Sequence, residues 1–142
     1  MNKEIQDKGI HIGIIPDGSR RWARKNNIAE GDWSTSGKAT ENIVKHIFFN
    51  YPEVSEFSLW AMSTENIERD DYSKNLVYSI LEGKFNDLLR SPFLEEEDIK
   101  VNVVGSKLKE IPGEIKDLAD RVVSKTKNNR ARTLNVCIGY GG

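Results

Sequence analysis

The sequence predicts an α/β domain in which a parallel sheet carries helices on its faces. Short apolar runs alternate with longer segments of helical periodicity, in the order βαβαβαβ. This alternation is typical of parallel strands joined by right-handed helical crossovers. Polar clusters follow the predicted strands, at the ends where such sheets bind ligands. A chain of 142 residues can bury one core, so we expect a single domain over residues 1–142.

The first predicted strand is the apolar run GIHIGII, residues 9–15. Pro16 and Gly18 end it, and its nearly continuous hydrophobicity is typical of a strand that is buried on both faces of a parallel sheet. Residues 36–49 follow as an amphipathic helix that lies on this sheet. Its predicted inward residues are Ile43, Val44, Ile47 and Phe48.

The remaining elements repeat the strand and helix order. Residues 56–63, 99–105 and 133–142 form the other predicted strands, and helices over residues 72–89 and 113–127 connect them. The longer helix places on one side Leu76, Ile80, Leu81, Phe85, Leu88 and Leu89. The shorter helix turns inward Ile115, Leu118, Val122 and Val123.

Composition argues against several classes of protein. The chain has 21 Lys and Arg against 22 Asp and Glu, and this near-neutral charge argues against nucleic-acid binding. No apolar run is long enough to cross a bilayer, and none follows the charged start as a signal peptide would, so we expect a cytoplasmic protein. The single Cys137 excludes an internal disulfide and is expected to be a small buried hydrophobe. Neither His11 nor His46 has companions at metal-ligand spacing, so we expect no zinc site.

The first strand runs directly into Asp17, Gly18 and Ser19, and residues 20–25 then carry four positive charges and no negative charge. Guanidinium groups bind phosphate oxygens in a bidentate manner. Gly18, at the start of a helix, lets a ligand approach free backbone N–H groups. A carboxylate beside a diphosphate suits Mg²⁺, which keeps several waters and takes one or two carboxylates.

From the residues alone, two interpretations of this motif are open. In the first, the motif binds diphosphate and Mg²⁺. In the second, Asp17 and Gly18 form a turn, Asp17 caps the next helix, and the cations form a solvated surface. Trp22 is equally open, because it could pack in the core or line a substrate slot. An Asp17 carboxylate locked in ion pairs with the following arginines would argue against the first interpretation.

The second predicted strand ends in another polar cluster, next to or near the first strand. Its members are Ser63, Thr64, Glu65, Asn66 and Arg69. Ser63 and Asn66 could hydrogen-bond a carboxylate or a phosphate, and Arg69 adds a cation. The alternative is a helix cap, in which Ser63 or Thr64 starts a helix and Glu65 or Asn66 lies in its first turn.

Three segments together resemble motifs of the cis-prenyltransferase family, whose best-known member is undecaprenyl diphosphate synthase. The segment HIGIIPDGSRRWARKNN, residues 11–27, is similar to the family's H-x-x-x-I-M-D-G-N-G-R-W-A-x-x. FSLWAMSTENIER, residues 57–69, resembles its Y-A-F-S-x-E-N-W-x-R, and TLNVCIGYGG, residues 133–142, resembles its N-x-x-x-x-Y-G-G. The three motifs occur in the family's order, each at the end of a predicted strand.

The resemblance implies condensation of isopentenyl diphosphate with an allylic isoprenoid diphosphate, with Mg²⁺ as cofactor and a cis double bond formed at each addition. It assigns Asp17 to the magnesium and diphosphate pair, and gives Asn66 a part in the proton loss. The residues that it assigns to substrate binding are Gly18, Ser19, Arg20, Arg21, Trp22, Ser63, Thr64, Glu65 and Arg69.

The sequence also departs from the family pattern. The departures are Glu30 in place of an arginine, Trp33 and Ser34 in place of Gly-His, Ile67 in place of a tryptophan, and Ser19-Arg20 in place of Asn-Gly. Glu30 would repel a diphosphate where the family attracts it. The chain resembles the first part of the family fold and lacks the last portion, whose motifs bind isopentenyl diphosphate.

We therefore expect an undecaprenyl diphosphate synthase-like prenyltransferase that needs a protein partner, in a homo- or hetero-oligomer, for its isopentenyl site. The alternative is a non-catalytic subunit that binds an isoprenoid diphosphate or stabilises a partner enzyme. A lipid product would allow transient association with a membrane surface. A different phosphate-handling enzyme, such as a phosphatase, would need a nucleophile near Asp17, and none is evident in the sequence.

Overall fold

The computed structural model describes residues 9–29, 34–63 and 71–140. Its described strands form one parallel sheet in the order β1-β2-β4-β3. The strands are β1 (Ile10–Ile14), β2 (Val54–Ser63), β3 (Ile99–Val104) and β4 (Arg132–Tyr140). The helices are α1 (Ser19–Lys25), α2 (Ser34–Asn50), α3 (Asp71–Arg90), α4 (Phe93–Glu96) and α5 (Gly113–Thr126), with a 3₁₀ turn at Leu108–Glu110. The predicted α/β class, with a parallel sheet and helices, is confirmed.

Over the first part of the strands, the sheet has one apolar face and one polar face, because side chains alternate along a strand. On the apolar side, Phe57 of β2 lies opposite Leu134 of β4, which in turn lies opposite Val101 of β3. All three side chains are buried. On the other side, Ser58 lies opposite Asn135, and polar side chains hydrogen-bond across the strands.

Helices α2, α3 and α5 contribute to the same core as the apolar face of the sheet. Phe48, Phe85 and Val122 are their most deeply buried residues. Every predicted inward residue of α3 and α5 is buried or half-buried. In α2 the prediction is wrong for Ile43, which is 45% exposed. Val44 and Phe48, four residues apart, form the buried row of the helix, and Ile43 lies to one side of that row.

The prediction that the first strand is buried on both faces is wrong. Among the described strands, β1 lies at an edge of the sheet and pairs with β2, and Ile10 is 51% exposed. Its apolar face is half-covered at Ile12 and Ile14, while His11 and Gly13 are exposed. The sequence of β1 is mostly apolar because isoleucines form its half-buried face. The opposite face carries a histidine and glycine, which are only weakly polar.

Arg132, the first residue of β4, fixes the end of α2. Its guanidinium group donates to the carbonyl oxygen of Phe48 and, at 2.9 Å, to that of Tyr51, and it lies 5.0 Å from the centre of the Phe48 ring. A cation at this position satisfies carbonyl groups at the C-terminus of the helix. It therefore places that end of α2 at the amino end of the sheet, so α2 starts toward the carboxyl end.

Candidate functional site

The two predicted motifs follow neighbouring parallel strands. Ile14, the last residue of β1, lies opposite Leu59, and β2 continues to Ser63. Because the strands are parallel, the loop after β1 and the end of β2 lie at the same edge of the sheet. The expected neighbourhood of the two strands is therefore confirmed. The other members of the second motif, Thr64, Glu65, Asn66 and Arg69, lie outside the described residues, as do Glu30, Trp33 and Ile67.

The loop after β1 turns sharply into α1. Gly18 has φ of +89°, a left-handed conformation that glycine adopts without the steric cost a side chain would add. It occupies the position before the first helical residue, so Asp17 is not the N-cap residue. Ala23 is buried and anchors the helix, and Asn27, with φ of +53°, follows its end. The local sequence thus produces a short helix that begins beside Asp17.

Asp17 forms one of the ion pairs that would argue against a diphosphate site. Its Oδ2 lies 3.3 Å from Nη2 of Arg21, and its Oδ1 accepts the N–H of Gly18 at 2.6 Å. The two side chains are 84% and 80% exposed. Ion pairs this exposed contribute little free energy and exchange readily with other partners. The pair therefore does not lock the carboxylate, which stays accessible to a cation.

The cationic side of the motif is a solvent-facing surface. Arg21, Arg24 and Lys25 are exposed around α1, and Arg20 belongs to the same helix. Trp22 is 47% exposed, so the interpretation that it packs in the core is wrong. Its role as the wall of a substrate slot remains a prediction. The second interpretation of the motif, a turn followed by solvated cations, describes this surface in the absence of a ligand.

The donor set around Asp17 can be tested against Mg²⁺. Within the described residues, no three His, Cys, Asp or Glu side chains come together as a preformed metal cage. Mg²⁺ does not need one, since it commonly binds one or two carboxylates together with substrate phosphates and waters. A single accessible carboxylate followed by arginines fits that mode of binding, in which the diphosphate brings most of the other ligands.

One group of polar residues was missed by sequence reasoning. We call it the polar row: His11, Glu56, Ser58, Asn102 and Asn135. His11 Nε2 and Ser58 Oγ are 2.7 Å apart. Asn135 donates to Glu56 at 2.6 Å and to Ser58 at 3.0 Å, and it accepts from Asn102 at 3.1 Å. The signal was the alternation of polar and apolar residues over the first part of the strands, as in Glu56-Phe57-Ser58-Leu59.

Cys137 is buried, as the sequence predicts. Burial raises the pKa of its thiol, because the low-polarity surroundings disfavour the charged thiolate. A thiol of this kind is a packing residue and a poor nucleophile.

Comparisons with known proteins agree with this geometry. The model of a family described as undecaprenyl diphosphate synthase matches residues 15–142. A tritrans,polycis-undecaprenyl-diphosphate synthase (geranylgeranyl-diphosphate specific) of Archaeoglobus fulgidus is 36% identical over 134 residues, which are 93% of this chain and 52% of that protein. The protein of the same name from Sulfurisphaera tokodaii is 31% identical over 135 residues, 93% of this chain and 50% of that one.

A solved structure also matches. Lavandulyl diphosphate synthase from Lavandula x intermedia, crystallised in complex with dimethylallyl diphosphate, superposes with a TM-score of 0.77 and 22% identity over 96% of this chain and 57% of that chain. At this identity the likeness concerns the fold. The chain spans about half the length of the curated relatives that it matches. In the described part of the chain, none of the helices combines the length and the apolar character needed to span a bilayer.

Proposed function

Since the chain belongs to the undecaprenyl diphosphate synthase family of cis-prenyltransferases, we propose that it binds an allylic isoprenoid diphosphate and takes part in its condensation with isopentenyl diphosphate. The observation that carries this proposal is the loop after β1. There an accessible carboxylate, Asp17, is followed by a glycine in the left-handed conformation and then by a short helix with exposed cations.

In this proposal each group has a distinct task. Asp17 holds Mg²⁺ against the diphosphate, and Arg20 and Arg21 bind phosphate oxygens, while Gly18 and Ser19 bring the main chain close to them. Mg²⁺ bound there would supply positive charge that offsets the charge developing on the leaving diphosphate. The guanidinium groups of Arg20 and Arg21 stabilise the same charge. Entry of the ligand replaces the exposed contact between Asp17 and Arg21.

The second motif completes the proposed site. In the sequence, Ser63 ends β2, the strand next to β1, and Thr64, Glu65 and Arg69 follow it; in this proposal all four contact the substrate. Asn66 is too weak a base to accept a proton by itself. We assign it the orientation of a water, a hydroxyl group or a phosphate oxygen that takes the proton lost from isopentenyl diphosphate.

The isoprenoid tail needs an apolar surface next to this edge. Ile12, Ile14, Ala61 and Val77 pack against the core but are only half-buried. Three phenylalanines are fully buried further into the core: Phe48, Phe57 and Phe85. We place the tail on the half-buried residues, with the phenylalanines as the floor that limits its depth.

Binding can be tested by calorimetry on the purified chain with farnesyl diphosphate and Mg²⁺. We expect saturable binding that requires Mg²⁺ and falls at least about tenfold in Asp17→Ala, a loss of about 1.4 kcal/mol. Asp117→Ala removes an equally exposed carboxylate from α5 and should bind like the unchanged chain. No binding by the unchanged chain, or equal binding by both variants, would contradict the proposal.

Catalysis requires a separate assay, because the chain spans about half of its relatives. The second candidate is a non-catalytic subunit that binds the allylic diphosphate or stabilises a partner. Labelled isopentenyl diphosphate and farnesyl diphosphate should give a prenyl product when a partner that supplies the second diphosphate site is added. Binding without turnover, with every partner tested, would support the non-catalytic subunit.

A further inference from the structure

The carboxyl ends of β2 and β4 depart from regular pairing. Met62 of β2 lies opposite Ile138 of β4, whereas the next residue, Ser63, lies opposite Tyr140, so the register passes over Gly139. Another register shift lies just before Met62. Bulges of this kind are frequent beside active sites, where they change the direction of a side chain. Both shifts lie at the edge of the sheet that carries the proposed site.

The shift before Met62 changes the face of the sheet on which this residue lies. In a regular strand Met62 would share a face with Ser58, because side chains alternate. Met62 is instead 1% exposed and belongs to the same core as Ile138. Ser63, a residue of the proposed substrate site, follows directly. The irregular backbone at this end of the sheet therefore determines the path on which β2 enters the second motif.

The irregularity in β4 is held by the loop that follows β3. Gly139 has φ of +61°, a left-handed conformation that glycine adopts at little cost. The hydroxyl group of Ser106 donates to the carbonyl oxygen of Gly139 at 3.1 Å. Ser106 therefore bonds to the backbone of β4 at the same residue that the register passes over.

Gly105, the residue directly after β3, leaves room for the same stretch of β4. A Cβ at Gly105 would overlap the carbonyl oxygen of Ile138 and lie 2.8 Å from its carbonyl carbon. A side chain there would force the backbone of β4 to move, and close approach of another backbone is a common reason for glycine in a sheet. Two successive carbonyl groups of β4 thus lie against two successive residues that follow β3.

We infer that Gly105 and Ser106 are positioning residues for the diphosphate site. They fix the end of β4, which pairs through Tyr140 with Ser63 of β2, and Ser63 begins the second motif. The inference rests on the proposed function, in which Ser63 contacts the substrate. Gly105 and Ser106 act through the backbone of two strands and need no contact with the substrate themselves.

The alternative is that these contacts only close the end of the sheet. Ser106 is exposed, so loss of its hydrogen bond should lower the stability of the fold only slightly. An effect on the site can therefore be separated from an effect on folding.

The test compares two variants of Ser106 with a matched control. Ser106→Ala removes the hydroxyl group, and Ser106→Thr retains one. The control is Ser91→Ala, since Ser91 Oγ accepts the N–H of Phe93 at 3.2 Å in the segment that leads into the amino end of β3. Both alanine variants lose one hydrogen bond between a serine and the backbone, but only Ser106 lies at the carboxyl edge of the sheet.

Calorimetry with farnesyl diphosphate and Mg²⁺ measures binding, thermal melting measures stability, and the NMR signal of the Ser63 amide reports the backbone at the site. We expect Ser106→Ala to bind about fivefold more weakly and to shift the Ser63 amide signal. Ser106→Thr should bind within about twofold of the unchanged chain. Ser91→Ala should melt like Ser106→Ala, yet keep the binding and the Ser63 signal of the unchanged chain.

Gly105→Ala tests the other member of the pair. It must displace the carbonyl group of Ile138, so binding should fall further, by about tenfold. Gly113→Ala adds the same methyl group at the start of α5, where no described atom lies within 4 Å of the new Cβ, and should bind normally. Normal binding by folded Gly105→Ala would contradict its role, and the Ser106 variants decide the inference if Gly105→Ala does not fold.

Equal binding by Ser106→Ala and the unchanged chain would overturn the inference and leave the proposed function standing. Equal weakening in Ser91→Ala would assign the effect to stability, and weak binding by Ser106→Thr would show that the hydrogen bond is not its cause, so either result rejects the inference. An unmoved Ser63 signal in Ser106→Ala would reject transmission through β4. No binding by the unchanged chain would instead reject the proposed function, and with it any role of the pair in that site.

Discussion

At the residue scale, the proposed site depends on Asp17, which supplies the carboxylate, and on Gly18, whose left-handed conformation precedes α1. The motif predicts a glycine after Asp17, but the left-handed conformation of Gly18 is known only from the structure. Asp17 could be identified from sequence as an acidic residue at the end of a strand. Its exposed contact with Arg21 could not be predicted from sequence. Side chains four residues apart come together where the backbone between them is helical, so the contact depends on where α1 begins.

Gly18→Ala tests whether that conformation matters. No atom comes closer than 3.9 Å to the new Cβ, so the cost is conformational and not a clash. Left-handed geometry costs a non-glycine residue about 1–2 kcal/mol. We expect the free energy of unfolding, measured by urea denaturation, to fall by that amount. We also expect weaker Mg²⁺-dependent binding of farnesyl diphosphate. Gly83→Ala, in the middle of α3, should raise stability by about 0.5–1 kcal/mol and leave binding unchanged.

Glu41 is a residue whose ionisation supports the fold. Hydrogen bonds from Lys45 at 2.8 Å and from Lys84 of α3 at 2.7 Å lower the pKa of its carboxyl group below the usual 4.5. A lowered pKa means that the stabilisation is present above the pKa of the unfolded chain and is lost as the pH falls through the folded value.

Glu41→Gln should therefore lower the free energy of unfolding in urea at pH 7. The loss should be about 1 kcal/mol or less, because the group is partly exposed. The difference from the unchanged chain should shrink as the pH falls through the folded pKa of Glu41. Glu82→Gln removes an exposed glutamate of α3 and serves as the control. A deficit in Glu41→Gln that did not change with pH would contradict a stabilising role of the Glu41 charge.

At the scale of the elements, the sequence predicted the positions of the strands and helices but not which faces of the strands are buried. Apolar runs and Pro16 located β1 to within one residue at each end, and helical periodicity located α3 and α5 equally well. The first part of the strands also alternates, as in Glu56, Phe57, Ser58 and Leu59. Alternation predicts a sheet with one apolar and one polar face. This alternation was not used, and β1 was predicted to be buried on both faces, so the polar row was missed.

The outer edge of β3 depends on one buried hydroxyl group. Thr126 Oγ1 accepts the N–H of Val101 at 3.0 Å and donates to the carbonyl oxygen of Val122 at 3.0 Å. Thr126→Val keeps the shape and removes both bonds. We expect a loss of about 1–3 kcal/mol in urea denaturation, because a buried N–H is left without a partner. Thr126→Ser, which keeps the hydroxyl group, should recover most of the loss, and equal stability of both variants would contradict this role.

At the scale of the whole molecule, the sequence predicts which strands and helices form better than it predicts how they are arranged. Alternating strands and helices fix the class, and right-handed crossovers limit the topologies. They do not determine that β4 enters between β2 and β3, because each crossover can skip a strand. That order, β1-β2-β4-β3, leaves β1 at an edge and separates it from the most deeply buried part of the core, around Ile99, Val101 and Val122.

This asymmetry predicts a gradient of local stability across the sheet. β1 and β3 are both edge strands, but β3 is covered by α5 and capped by Thr126, whereas β1 is largely exposed. Segments with few buried contacts open with a lower free energy than the global one. In native-state hydrogen exchange, the amides of β1 should therefore exchange much faster than those of β3, while β2 and β4 exchange near the global limit. Equal protection of the two edges would contradict this gradient.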